Sequence, residues 1–269
     1  MNVVTLKKTK KNVFKNIKPI KKLDNIKDLD VKNSGIKKAS LEYNKLSKLS
    51  RGKPIDRLLF ALNISDKGGD IFRVDYDSVG TICTTILSPD KILEIKDFLS
   101  NYPSEEVNSE FEGYFISHLI QNSYLAGYNN FNFEITNSDQ SFTSYLEGSK
   151  KDPIIINIKE NRTSSSGESV KHCIFNIKEN YQGSLGMRAK HSTFNIDINH
   201  DGDVGSGAEH STFNIGKNYE GYCGEDSKNC IFKSSNKETL ESAFKDAEVK
   251  GDNKFYLIQP NGEEILYRK

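Results

Sequence analysis

Residues 197–210, "DINHDGDVGSGAEH", set Asp197, Asn199 and Asp201 at alternate positions with Gly202 directly after them, which is how an EF-hand calcium loop begins. Such a loop needs a bidentate glutamate at its twelfth position, and counting from Asp197 that place holds Ala208, with Glu209 one step late. Only a weak attraction of Asp197, Asp201 and Asp203 for a cation at one corner remains. A second set is His172, His191 and His210, whose even spacing suits a transition-metal site or a response to pH. A third is Cys173, Ser192, Ser211 and Cys230, which recur at the same interval as would a row of nucleophiles. The serines of "TSSSGES" and the carboxylates Asp70, Asp75 and Asp77 complete no catalytic constellation. The chain has no G-x-S-x-G elbow, no H-E-x-x-H and no phosphate-cradling Gly-Lys-Ser/Thr loop. Asp201 and Glu220 also share a spacing, and a carboxylate pair of that kind could hydrolyse a glycosidic bond.

The interval that links these residues is a repeat. Phe175, Phe194, Phe213 and Phe232 are each 19 residues apart, and the sequence between them falls into register without a gap. The units are "PIIINIKENRTSSSGESVK" from 153, "HCIFNIKENYQGSLGMRAK" from 172, "HSTFNIDINHDGDVGSGAE" from 191 and "HSTFNIGKNYEGYCGEDSK" from 210, with a truncated "NCIFK" from 229.

Phe175 and Ile177 alternate with Asn176, and the same pattern returns at Phe194/Ile196 and Phe213/Ile215, as in a strand with one buried side. Asn161, Asn180, Asn199 and Asn218 form one later column, and Gly167, Gly186, Gly205 and Gly224 another, at places where the chain must turn sharply. A unit this short cannot bury a face alone, so it stacks on its neighbours with equivalent strands about 4.8 Å apart in parallel ladders. The expected fold is therefore mainly β, a parallel β-helix (solenoid) with 19-residue rungs. Phenylalanine and isoleucine would stack inside, and asparagine columns would pass amide hydrogen bonds from rung to rung. In this register, residues 197–210 are a turn and the Cys173/Ser192/Ser211/Cys230 column is a set of small core residues. The histidine column continues as Asn229, and both residue types tolerate left-handed corners.

Open solenoid ends need caps. After the repeat, residues 234–269 read as a capping helix and hairpin. Ser235 to Glu238 gives an S-x-x-E capping box, Leu240, Ala243, Phe244 and Ala247 share one helix face, and Pro260, Asn261 and Gly262 mark the hairpin turn. Before the repeat, residues 54–111 read as a small α/β module, including strand "IFRVDY" and a helix with Ser88 as N-cap and Pro89 in its first turn. Within a solenoid domain of 112–233, residues 112–127 form an entry helix. Strand "FNFEI" then opens the solenoid, and the insertion "LEGSKKD" delays the strict period.

These columns resemble the right-handed β-helix of the GXGXG domain, a family found at the carboxyl end of the large chain of glutamate synthase and in one component of formylmethanofuran dehydrogenase. "EGYFISHLI" is similar to that family's entry helix, "FNFEITNSDQSFTSYL" to its first rungs, and the Gly186, Gly205 and Gly224 column to its recurrent glycine. Two positions on, where the family often repeats glycine, stand Arg188, Gly207 and Asp226, and its usual Gly-Gly before the strand is replaced by His-Cys, His-Ser or Asn-Cys. The resemblance implies right-handed coiling and a scaffold that packs against catalytic partners without chemistry of its own.

The net charge of +1 hides a strong polarity. Residues 1–53 carry 16 Lys+Arg against 4 Asp+Glu, net +12, leaving 22 against 33, net −11, for the rest. Such a basic arm, composed like a solvated terminus, suits RNA or an acidic protein surface. Its candidate binding residues are Lys7, Lys8, Lys10, Lys11, Lys15, Lys18, Lys21 and Lys22. Four scattered cysteines without a C-x-x-C argue against a disulfide framework or zinc knuckle. No secretory signal or membrane-length apolar run is present, so a cytoplasmic location is expected. The expectation is a scaffold or interaction protein rather than an enzyme, without cofactor or metal and with an unidentified protein partner. RNA binding through the arm is the first alternative and a carbohydrate-active β-helix the second.

Overall fold

The structure, a computed structural model, describes residues 38–43, 79–80, 83–100, 109–135, 143–160, 165–178, 181–197, 199–216, 218–247 and 252–268. The chain forms two compact units, Met1–Thr85 and Ile86–Lys269. In the first, residues 38–43 are helical and bury Glu42. Its carboxylate accepts hydrogen bonds from the backbone N–H of Thr84 (3.2 Å) and Thr85 (3.2 Å) and from their hydroxyls (2.9 and 2.7 Å), so one charged group ties two distant stretches together. Strand "IFRVDY" and the boundary between 53 and 54 lie outside the described residues.

The second unit is a parallel β-solenoid of about five turns. Helices α1 (Pro89–Ser100) and α2 (Ser109–Leu125) precede strand β1 (Asn130–Ile135). Ser88 O accepts from the N–H of Lys91 and Ile92, which starts α1 where Pro89 fixes its first turn. Helix α1 packs on β1, and α2 holds the first turn, with Ser117 Oγ accepting from Ser144 N (3.0 Å) and Gln121 clasping the backbone of Glu147 at both its N–H and C=O.

The rungs then follow as β2 (Ile154–Glu160), β3 (Cys173–Ile177), β4 (Tyr181–Gln182), β5 (Thr193–Ile196), β6 (Asn199–Asp201), β7 (Thr212–Ile215), β8 (Asn218–Glu220) and β9 (Ile231–Ser234). Helix α3 (Lys237–Ala247) and strands β10 (Lys254–Ile258) and β11 (Glu264–Arg268) complete the chain. One sheet runs β1-β2-β3-β5-β7-β9-β10-β11, parallel until β11 turns back, and a smaller parallel sheet runs β4-β6-β8.

Register follows the repeat. Phe175, Phe194 and Phe213 pair in sequence, as do Asn176, Asn195 and Asn214. The inward rings stack at centroid distances of 4.9, 5.1 and 5.3 Å from Phe175 to Phe232. On the outward side Asn176 donates to Asn157 (2.8 Å), Asn195 to Asn176 (2.7 Å) and Asn214 to Asn195 (2.6 Å). Along this row each amide donates to the rung before it, which locks neighbouring rungs in phase.

At the carboxyl end one expectation is sharpened and one corrected. The helix and hairpin do not simply cover the last rung, because β10 pairs in parallel with β9 and Phe255 stacks on Phe232 at 5.3 Å. This is one more rung, interrupted by α3, whose Phe244 meets Phe255 edge-on at 5.5 Å. The N-cap of α3 is also Asn236 rather than Ser235: Asn236 Oδ1 accepts from Glu238 N (2.9 Å), while Ser234 Oγ accepts from Asn236 N (3.1 Å). Ser234 Oγ ends the strand and leaves the cap to the residue beside the helix.

The hairpin turns where expected, with Gly262 at φ 83°. The outer edge at β11 carries a register shift opposite Phe255/Tyr256 and charged Glu264, features that discourage a further strand from adding there.

Candidate functional site

The residues that could do chemistry are distributed by the rung geometry into columns. In the first, Cys173, Ser192, Ser211 and Cys230 are all buried. Ser192 Oγ accepts from Cys173 N (3.1 Å) and donates to Lys190 O (2.9 Å), and Ser211 Oγ accepts from Ser192 N (3.2 Å). Asn253 continues the column, its Oδ1 accepting from Cys230 N at 2.9 Å. These hydroxyls and amide therefore satisfy backbone N–H groups of the preceding rung, which is an architectural task.

Burial, the largest influence, pushes the Cys173 thiol up to about 12 and that of Cys230 to about 11, and it also raises Cys83. A thiolate is thus strongly disfavoured at neutral pH. In the native protein these three thiols are expected to resist a disulfide exchange reagent at pH 8 and to react only in guanidinium. Labelling of any of them at the rate of a free thiol would overturn this.

His172, His191 and His210 form a second column, stacked nearly parallel with centroids 5.2 and 5.1 Å apart. Their φ angles are 52°, 51° and 51°, and Asn229 in the same column has 54°. The corner reading therefore holds, since histidine and asparagine tolerate this left-handed conformation better than most residues. The metal reading does not fit this geometry. Parallel rings direct their lone pairs side by side, whereas one zinc ion about 2.0–2.1 Å from two nitrogens needs them to converge. Partial desolvation, then the neighbouring His172 and His210, lower the pKa of His191.

The glycine columns explain the corners. Gly186, Gly205 and Gly224 have φ of 67°, 69° and 74°. A Cβ at Gly186 would come within 2.8 Å of Phe194, and one at Gly205 within 2.7 Å of Phe213. Two positions on, Arg188 and Asp226 keep the left-handed backbone at φ 55° and 54° although neither is glycine. Residues 197–210 form one such rung. Asp197 N donates to Ile177 O, Gly202 N to Glu220 O, Gly205 N to Leu185 O and Gly207 N to Glu225 O, so the stretch is spent on inter-rung bonding. Among the described residues no cluster of three or more His, Cys, Asp or Glu could hold a metal ion.

Asp201 and Glu220 are register neighbours on β6 and β8, both exposed. Along another edge Lys171 pairs with Glu147 (2.7 Å) and Lys190 with Glu209 (3.1 Å), while Arg188 pairs with Glu168. The lysines of the arm, Lys7 to Lys22, and Asp70, Asp75 and Asp77 lie outside the described residues. Among the described residues no helix is long and apolar enough to cross a membrane.

One column is not singled out by the sequence reading. Tyr181, His200 and Tyr219 stack at 5.4 and 5.7 Å, and His200 is 2% exposed with neither ring nitrogen hydrogen-bonded. The signal is present, since these residues share the 19-residue spacing, but spacing alone does not separate an inner histidine from the outer ones. No family model matches the chain, and neither a curated protein nor a solved structure matches it.

Proposed function

We propose that this chain is a non-catalytic scaffold or interaction protein that offers the flat outer face of its solenoid to a protein partner. One observation carries the reading: the outward asparagines 157, 176, 195 and 214 form an unbroken hydrogen-bonded row on the large sheet. A rigid face of this kind can meet a partner without the ordering cost that a mobile surface incurs. The burial of the serine and cysteine column agrees with it, because side chains spent on holding rungs together are withdrawn from chemistry. The likeness to the GXGXG domain, with right-handed coiling, belongs to the same proposal. It is supported by the left-handed backbone at Arg188, Gly207 and Asp226, where that domain often has glycine.

A second reading rests on the charge of the arm. With net +12 over residues 1–53, phosphate contacts from Lys7, Lys8, Lys10, Lys11 and their neighbours would give salt-sensitive RNA binding. Affinity purification of the full chain from its native cell, with and without nuclease, separates the two. A protein that remains bound after nuclease supports the scaffold. Loss of all bound material with nuclease, or on deletion of residues 1–53 together with RNA, favours the arm-led reading and overturns the first.

A further inference from the structure

In the smaller sheet, His200 occupies a place that its neighbours in the column fill with tyrosine. Its ring lies between those of Tyr181 and Tyr219 at interplanar angles of 15° and 9°. The Gly202 and Asp203 backbone comes near the imidazole, yet no hydrogen bond of proper geometry reaches Nδ1 or Nε2. A neutral imidazole in this position leaves one donor and one acceptor unsatisfied, at a cost the fold tolerates. An imidazolium would leave two donors and a charge, and a buried charge without a partner is far more costly.

The charged groups around it do not remove that cost. On its own rung Asp201 and Asp203 favour the protonated ring, while β4 and β8 present the neutral rings of Tyr181 and Tyr219, and the exposed side chains beside them are Gln182 and Glu220. The next inward column along the chain, Leu185, Val204 and Cys223, is buried as well and carries no charged side chain. Burial outweighs the nearby Gly202 backbone, the two carboxylates and the Asp203 backbone, all of which favour the protonated ring, and holds the pKa of His200 at about 4.

The two sheets differ in how they would respond. The large sheet has strands of four residues or more, a continuous phenylalanine ladder and the asparagine row. Strands β4, β6 and β8 have only two, three and three residues. We propose that the β4-β6-β8 sheet is an acid-triggered opening element, in which proton uptake by His200 unseats the Tyr181–His200–Tyr219 stack and frees these three strands while the large sheet stays formed.

The direction of the linkage follows from the lowered pKa. In the opened state the imidazole titrates near its ordinary 6.5, so opening takes up a proton below that value while the closed state does not. Closure is fully favoured above pH 6.5, weakens as pH falls, and has lost its whole proton-linked share below about 4. The difference of 2.5 units between 6.5 and about 4 corresponds to a roughly 300-fold shift in the opening equilibrium.

The test is amide hydrogen exchange on the full chain at pH 7 and pH 4.5, corrected for intrinsic rates. Protection at residues 181–182, 199–201 and 218–220 should fall on the order of 100-fold at pH 4.5, most of the full linkage, while that of β3, β5, β7 and β9 stays unchanged. His200→Phe should abolish the pH dependence, and His191→Asn, which follows Asn229 in the outer column, should leave it intact. An equal loss across both sheets, a loss that survives in His200→Phe, or no loss at all would overturn the proposal. Should His200→Phe fold poorly, histidine NMR of the wild-type chain gives the decision. A ring that titrates below pH 5 supports the device, and one that titrates at 6 or above defeats it.

Discussion

Gly205→Ala is expected to cost the solenoid about 2–5 kcal/mol, combining the left-handed backbone penalty of a non-glycine residue with overpacking of a filled core. The added Cβ would lie 2.7 Å from Phe213 Cζ and 2.8 Å from Cε2. That ring has nowhere to go, since Phe194 stacks on it at 5.1 Å and Phe232 at 5.3 Å. Gly207→Ala supplies the control. Gly207 has nearly the same backbone, φ 64° against 69°, but its Cβ would meet only Arg188 Cγ at 3.4 Å. It should lose no more than the backbone penalty, about 1–2 kcal/mol. The backbone alone therefore does not demand glycine at position 205; the phenylalanine ring does. In urea unfolding followed by circular dichroism, Gly205→Ala should lower the midpoint far more than Gly207→Ala. Phe213→Leu should restore part of the loss in the double variant, because it removes the atoms that clash. Equal losses at 205 and 207 would refute the steric account.

The same distinction explains what could be read in the sequence. Identity in the phenylalanine, isoleucine and asparagine columns encoded the parallel register, because stacking demands like against like every 19 residues. Outside strict periodicity, legibility fell. Phe255 belongs to the ladder but follows Phe232 after 23 residues, the interval in which α3 is inserted, so the hairpin read as a lid instead of a rung. Ser235 matched a capping-box pattern, yet the cap depends on which residue the preceding strand leaves beside the helix, and Ser234 Oγ decides that in favour of Asn236. For the candidate sites, spacing told which residues would align but not which way they faced. His172, His191 and His210 align at an outer corner, whereas buried His200 aligns with buried Tyr181 and half-buried Tyr219. Parity counted from Phe194 through Ile196 does fall on buried His200 six residues later, so its inward placement was legible from the strand only if the turn keeps that phase, which the spacing by itself does not say. The fold was legible as columns, and the chemistry of each column waited on the turn.

Phe194→Ala tests the ladder itself and should be the most damaging of the core truncations, at about 3–5 kcal/mol. The ring is fully buried, stacks on Phe175 at 4.9 Å and on Phe213 at 5.1 Å, and fills the space that Gly167 and Gly186 leave open. Removing it leaves a cavity between the Phe175 and Phe213 rings and beside Gly167 and Gly186, which resists collapse because the Asn176–Asn195–Asn214 row holds the rungs at fixed spacing on the other side of the strand. In a stacked array each rung is stabilised by its two neighbours, so a weak rung in the middle uncouples the halves on either side. Phe194→Ala should therefore lower the urea m-value as well as the midpoint, as the single transition broadens into two. Phe255→Ala, at the end of the ladder with a stacked ring on one side only, should lower the midpoint without changing m. The contrast rests on position rather than chemistry, since the residue type is the same. Matching m-values in the two variants would show that the rungs fold as one indivisible unit and that nearest-neighbour stacking is not what couples them.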